Sequence, residues 1–365
     1  LAVTGPNASD LILKLVDEPS ASGSVVLDNH GARSTGATRL DASLAVNSRL
    51  TIGDQATVRY VRTEGSDFAR LAYSIPVGYD GWRVEANASV LAYKLVADEF
   101  KALDAHGTVN SFGGYAGYPI LRSPKANLYL LLNFDRKSFR NTANGVRTSD
   151  YGVDDASAGL SGNLFDTLGG GGYSSASAVV SAGRFDAKGG AARPDASDTS
   201  FVAMRYALSR QQSVTPSFSV YGALIGQFAS RNLDSSERFY LGGPSGVRAY
   251  PINEAGGAQG RVLTLEGRYR LTESTTISGF YDQGWITRYK FDSMTAGGLL
   301  SGTSPNRYSL KGYGLSVGWA PLAALQLQAI WARRAGANPD PTAAGNDQDG
   351  TLRKDRFWLA GTFMF

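Results

Sequence analysis

From Ser22 onward, apolar and polar side chains alternate with a period of two, and the alternating stretches recur at a spacing of roughly 20 residues with turn residues between them. Trp82 to Tyr93 shows the pattern: Trp82, Val84, Ala86, Ala88, Val90 and Ala92 share one face, and Arg83, Glu85, Asn87, Ser89, Leu91 and Tyr93 the other. Leu128, Leu130, Leu132 and Phe134 oppose Asn127, Tyr129, Asn133 and Asp135 in the same way. Leu263, Leu265, Tyr269 and Leu271 oppose Thr264, Glu266, Arg268 and Arg270. One face suits lipid and the other water. The longest strongly apolar run is Leu128 to Leu132, far short of the ~20 residues a spanning helix needs. A membrane-spanning form of this chain must therefore be a closed β-barrel, because only closure satisfies every backbone group within hydrocarbon. A soluble sandwich also alternates, but it turns its charged face outward and needs fewer, shorter strands.

Sixteen strand segments can be counted, from 22–30 at the start to 355–365 at the end. That even number suits a single-chain antiparallel barrel of the bacterial outer membrane. Short connectors such as Pro76 to Gly81, Thr272 to Ser274 and Pro321 to Ala323 are expected as periplasmic turns. The longest, Arg231 to Gly260, Lys290 to Tyr308 and Gly336 to Lys354, are expected outside. Residues 1–20 differ in character. Leu11 to Val16 predicts a short strand and Asp17 to Ser20 a linker, so 1–20 reads as the tail of a preceding domain and 21–365 as the barrel.

Composition agrees and excludes several functions. Hydrophobic residues make up only 42%, too few for a bundle of membrane helices, while 44 glycines exceed the usual share. Without cysteine there is neither a disulfide framework nor a thiolate metal site, and His30 and His106 lack any metal-binding spacing, so neither metal nor cofactor is expected. The net charge of +4 is scattered through strands and loops rather than gathered on one face, which argues against nucleic acid as a partner. A serine–histidine hydrolase is not excluded by residue types, but no GxSxG occurs. Each histidine lies next to a glycine near a strand end, so both are read as structural and the chain as a non-enzyme. Tyr206, Tyr269, Tyr281 and Trp285 read as belt aromatics at the membrane interface rather than as stacking platforms for sugar.

Phe239 to Tyr250, FYLGGPSGVRAY, breaks the pattern. Gly242, Gly243 and Gly246 permit positive φ and Pro244 fixes its own, so the segment bends sharply in front of Arg248. Two strands further on, GFYDQG (Gly279 to Gly284) supplies Asp282 among polar-face residues. Two readings of Arg248 stand on the residues alone: a solvated loop arginine, or a guanidinium aimed at a carboxylate, with Asp282 the candidate partner. A phosphate cradle fits poorly, since neither GxxxxGK[ST] nor a following helix is present. The loop from Arg231 to Gly260 is too long for a tight hairpin and too rich in Gly and Pro for a helix, and it is expected to fold into the lumen. The final strand carries Phe357, Leu359, Gly361, Phe363 and Phe365 on one face. This ending resembles the C-terminal signal by which bacterial outer-membrane barrels are recognised by their assembly machinery.

GGPSGVRAY, GFYDQG, the aromatic ending and VLDNHGARSTG from Val26 to Gly36 together resemble the barrel of the two-partner secretion (TpsB) transporters. These belong to the superfamily that includes the barrel-assembly protein BamA, and the resemblance covers about residues 22–365. It implies that a long extracellular loop folds back into the lumen. There Arg248 of a VRGY-type tip, with Val247 and Tyr250 beside it, would contact Asp282 of a barrel-wall FxDxG motif that includes Phe280 and Gly284. Ala249 stands where the family has glycine, which implies that less backbone freedom is needed there. The family's two periplasmic POTRA domains and plug helix do not fit in front of Ser22, so residues 1–20 resemble the last strand of a POTRA domain in a truncated transporter. The resemblance further implies a monomeric pore in outer-membrane lipid that exports an unfolded TpsA-type exoprotein, an adhesin, haemolysin or contact-dependent toxin, without ATP. A BamA-type assembly factor and a passive porin remain the alternatives.

Overall fold

The computed structural model describes residues 2–5, 8–10, 19–187, 200–291 and 305–365. Sixteen strands pair in chain order, each antiparallel to the next, and the last closes on the first. They are β1 (Ala21–Asp28), β2 (Arg39–Asn47), β3 (Gln55–Thr63), β4 (Ser66–Val77), β5 (Trp82–Lys94), β6 (His106–Arg122), β7 (Ala126–Ala143) and β8 (Val146–Asp166). The second half comprises β9 (Gly172–Ala187), β10 (Ser200–Ser213), β11 (Phe218–Ala229), β12 (Gln259–Arg270), β13 (Thr275–Thr287), β14 (Arg307–Leu322), β15 (Leu325–Arg334) and β16 (Asp355–Met364). Closure leaves no unpaired edge to template aggregation. The seam is brief: β16 meets β1 over five residue pairs, from Ala360 opposite Asp28 to Met364 opposite Ser24. The Asn29 side chain extends it, donating to the Phe357 carbonyl at 2.9 Å and accepting from the Leu359 N–H at 2.8 Å.

The period-2 alternation resolves into an apolar outside and a polar inside. Val90, Leu132, Phe134, Leu265 and Tyr269 lie exposed on the outer wall. Inward positions form rungs across neighbouring strands, such as Ser24 with Ser43 at 2.9 Å, Ser89 with Ser111 at 2.8 Å, and Arg70 with Glu85 at 3.0 Å. Tyr206, Tyr269, Tyr281 and Trp285 all fall in the outward register. The links 78–81, 271–274 and 323–324 gather at one end, and 230–258 and 335–354 at the other, which is the periplasmic and extracellular polarity of such barrels.

Strand limits depart from the alternation where apolar residues stop but backbone pairing does not. β7 runs on to Ala143 and pairs Arg140 with Asp150 of β8, because outside hydrocarbon the ladder no longer needs an apolar face. β11 begins at Phe218 because Thr215 turns the chain just before it: its Oγ1 accepts from the Phe218 N–H at 3.0 Å. A short 3-10 helix at Asp98–Leu103 is an element the alternation did not announce. Ahead of the barrel, Ala2–Gly5 pairs with Ala8–Asp10; the strand expected at Leu11 to Val16 lies outside the described residues.

Candidate functional site: a loop clamped inside the barrel

The loop 230–258 leaves β11, turns into the lumen and returns to β12. Its neck is a small ladder of Phe239–Tyr240 with Gly256–Gly257. Its tip is a knot of backbone bonds, with the Val247 N–H donating to Leu241 at 2.7 Å, Gly246 to Gly243 at 3.0 Å and Gly243 to Tyr250 at 3.1 Å. Of the three glycines that permit positive φ, only Gly243 has it, at 108°. Gly242 and Gly246 are needed for space instead: a Cβ on the first would strike Pro251 and Glu254, and on the second the Leu241 carbonyl. Ala249 keeps an ordinary backbone, and its methyl is accommodated because Gly312 of β14 faces it.

The tip packs on the inner wall of β12–β16. Leu241, Val247, Ala249, Tyr250 and Ala255 from the loop share one buried cluster with Val262, Phe280, Ile286, Leu310, Ile330, Ala332 and Trp358 of the wall. Gly284 forms the seat, since a Cβ there would stand 2.9 Å from a Leu241 methyl and 3.0 Å from a Val247 methyl. Burial drives the Tyr250 hydroxyl up to about 12, and the Arg334 guanidinium covers that ring at 4.7 Å.

Arg248 lies at the centre, only 7% exposed. Its Nε and Nη2 donate to the two oxygens of Asp282, each at 2.9 Å, a planar fork matched to a carboxylate. Its Nη1 donates to Glu266 of β12 at 2.8 Å, its backbone N–H to Asp282 at 3.2 Å, and its guanidinium lies 3.4 Å from the centre of the Phe280 ring. Asp282 is fully buried and also accepts from the Thr264 hydroxyl at 3.1 Å. Glu266 is held from its other side by Arg268 at 2.7 Å. The Arg248 carbonyl accepts from the Trp358 Nε1 at 2.8 Å, which ties the tip to the seam strand. The structure thus brings together Gly242, Gly243, Gly246, Val247, Arg248, Ala249, Tyr250, Phe280, Asp282 and Gly284. Phe357, Leu359, Phe363 and Phe365 stand apart on the outer surface, each about half-exposed or more.

Two further anchors hold the loop. At its root, Leu233 packs against Phe139, Tyr151, Val153, Phe185 and Phe201 on β7–β10. Glu237 there is reached by Lys137 from β7 and Arg205 from β10, each at 2.9 Å. The loop therefore crosses the lumen from one wall to the other. From outside, Glu254 is buried against the loop 335–354, accepting from Asn338 at 2.9 Å and from the Gln348 N–H at 2.8 Å. Burial pushes its carboxyl up to about 7, with Asp347 and Asp349 adding to the effect. Asp347 in turn binds Arg334 and Arg356.

Glu266, Trp358, Glu237 and Glu254 were not singled out from the sequence. Glu266 did fall on the polar face of its strand, and Trp358 is the one aromatic opposite the outward face of β16; the other two had no local signal. His30 and His106 sit at strand ends: the His30 ring meets Trp358 edge-on at 5.8 Å and its backbone N–H donates to Asp28. His106 Nδ1 lies 3.1 Å from the Asp104 carbonyl.

An edgeless sixteen-stranded barrel with an apolar wall, a polar interior and a long loop locked inside defines a transmembrane β-barrel of the outer-membrane transporter type. Residues 7–305 match the family model described as "Haemolysin secretion/activation protein ShlB/FhaC/HecB", and the chain belongs to this family of two-partner secretion transporters of the Gram-negative outer membrane. Among curated relatives it is 27% identical over 292 residues to the heme/hemopexin transporter protein HuxB of Haemophilus influenzae, covering 77% of this chain and 52% of that protein. It is 23% identical over 296 residues to the outer membrane transporter CdiB of Dickeya dadantii, with the same coverage. The chain thus spans about half the length of the curated relatives it matches. Among solved structures, CdiB from Escherichia coli superposes with a TM-score of 0.77 at 20% identity, over 96% of this chain and 64% of that one. BamA from Haemophilus ducreyi does so with a TM-score of 0.65 at 13% identity, over 96% and 71%. These two likenesses establish the fold.

Proposed function

We propose that this chain is the translocation pore of a two-partner secretion system, passing an unfolded TpsA-type exoprotein from periplasm to cell surface without ATP, with the loop 230–258 as its closure. Its role is then transport and not catalysis. The observation that carries the reading is the Arg248 fork on Asp282, a buried, directional contact between the lumenal loop and the barrel wall. Relatives named as a heme/hemopexin transporter and an outer membrane transporter support a transport role. In this reading the barrel acts as a monomer, Phe357, Leu359, Phe363 and Phe365 present the signal read by the barrel-assembly machinery, and residues 1–20 belong to a POTRA-like periplasmic unit. A passive porin fits less well, because the loop crosses the lumen and is pinned on both walls.

The test is export of a TpsA-type exoprotein, co-expressed with this chain in a strain lacking its own two-partner transporters. Complementation with Arg248→Ala or Asp282→Ala should leave the barrel folded in the outer membrane and lower surface exoprotein. If instead the variants left export intact and depleted other outer-membrane proteins, the assembly-factor alternative would hold.

A further inference from the structure

The outer wall carries a basic groove at its extracellular rim that plays no part in the lumen contacts. It has a volume of about 450 Å³ and runs across β10–β14, with Tyr206, Phe228, Arg261, Trp285, Thr287 and Arg307 on its outward lining. Tyr206 and Phe228 stack at 5.5 Å, and Gly226, lacking a side chain, leaves room for the Tyr206 ring. The Arg261 guanidinium lies 4.8 Å from the centre of the Trp285 ring, which fixes its position and leaves its N–H edge free to bind. Register sets the second cation: Arg261 pairs with Trp285 and Arg307 with Thr287, so the two arginines flank β13 two residues out of step. At strand spacings of about 4.8 Å and a rise of about 3.3 Å per residue, their backbones stand roughly 12 Å apart, close enough for both side chains to converge on one headgroup.

Height places this pair at a membrane surface. Along β12 and just past its end, the outward residues below Arg261 are Leu263, Leu265, Gly267, Tyr269 and Leu271. Ten residues at about 3.3 Å and a tilt of about 40° cover roughly 25 Å of membrane normal, the height of a barrel's apolar band. Arg261 and Arg307 therefore stand where outer-leaflet headgroups begin. Among the described residues neither has a carboxylate within ion-pair distance, and the outward positions of β10–β14 near this rim hold no Asp or Glu, while Lys311 adds a third cation. Two cations over aromatic and aliphatic wall call for an anion attached to an apolar body.

We infer that this groove binds the phosphate-bearing headgroup of an outer-leaflet lipid, with Arg261 and Arg307 gripping the phosphate and Tyr206, Phe228 and Trp285 covering the part beneath it. Guanidinium forks suit phosphate geometry, and a free anion would leave the aromatic floor bare. The test is native mass spectrometry of the intact protein in neutral detergent, titrated with bisphosphorylated lipid A, with chemically dephosphorylated lipid A, and with inorganic phosphate as competitor. The wild type should bind the phosphorylated lipid, and Arg261→Gln/Arg307→Gln should bind it about thirtyfold more weakly, each charge accounting for about fivefold. Heat-modifiable gel migration checks that the double variant is folded; if it is not, the single variants Arg261→Gln and Arg307→Gln carry the same test at about fivefold each. Equal binding by variant and wild type overturns the inference, as does equal affinity of the wild type for the dephosphorylated lipid. Displacement by inorganic phosphate at millimolar levels would assign the groove to a free anion and overturn the lipid as its occupant.

Discussion

Removing the Asp282 carboxylate should release the loop tip by an amount the structure lets one work out. Asp282→Ala deletes both side-chain bonds of the fork, the bond from the Arg248 backbone and the bond from Thr264, while Glu266 keeps its single contact at 2.8 Å. Breaking one partner of a buried pair costs about 3–5 kcal/mol, and the surviving Glu266 contact argues for the lower end. A change of about 3 kcal/mol raises the population of the undocked tip about 150-fold. Because the chain has no cysteine, Val247→Cys would be a single reporter at a fully buried tip position, and its rate of thiol modification in the assembled barrel measures undocking. Arg248→Ala strands the Asp282 carboxylate and should accelerate modification similarly. The double variant removes the charges together and should be no worse than either single one. Simple addition of the two effects, or unchanged modification in Asp282→Ala, would refute the argument that this pair holds the tip.

Other perturbations have equally definite outcomes. Trp358→Phe leaves the buried Arg248 carbonyl without its donor and should weaken docking by about 1–3 kcal/mol, read with the same thiol reporter. Glu254 retains its proton when docked up to about 7, against about 4.5 when free, so docking is strongest below pH 4.5 and weakens as pH rises toward 7, by at most about 3 kcal/mol. Thiol modification, taken relative to that of an exposed cysteine at the same pH to remove the thiol's own ionisation, should accordingly be faster at pH 8 than at pH 5, and Glu254→Gln should flatten that ratio. Cysteines at Leu130 and Leu265 should react with lipid-phase probes and those at Asn133 and Arg268 with aqueous ones; the reverse would overturn the register. Phe365→Ala should lower the amount of barrel in outer-membrane fractions at unchanged synthesis.

What could be read from residues follows a physical division. Strand faces are local: side chains two apart share a side, so Leu263 and Leu265 against Thr264 and Glu266 declare which way the wall faces before any fold is known. Strand ends are less legible, because pairing past the hydrocarbon, as at Arg140 and Asp150, needs no pattern. In the loop, the Gly-Gly-Pro bend and one arginine mark a shaped tip, and the geometry puts Arg248 on Asp282. Its other contacts join residues far apart in the chain, such as Glu237 with Lys137 across 100 positions and Trp358 with Arg248 across 110. Such pairings depend on the barrel's curvature and not on local sequence. The close approach at Gly242 and Gly246 is illegible for a related reason: a glycine that allows it looks the same in sequence as one that adopts positive φ.

The brief seam between β16 and β1 has a consequence for how the barrel comes into being. Every other neighbouring pair of strands is adjacent in sequence, so each can zip as its hairpin forms, whereas the Leu359 N–H finds Asn29 across 330 positions. Contacts of that separation are the slowest to form, because the intervening chain must be ordered first. Until β16 arrives, β1 and the growing end of the sheet are bare strand edges flanked by apolar faces, which are templates for aggregation. Those five residue pairs turn an open, sticky sheet into a closed one in a single late step, and before it the unfinished sheet must be shielded from other chains.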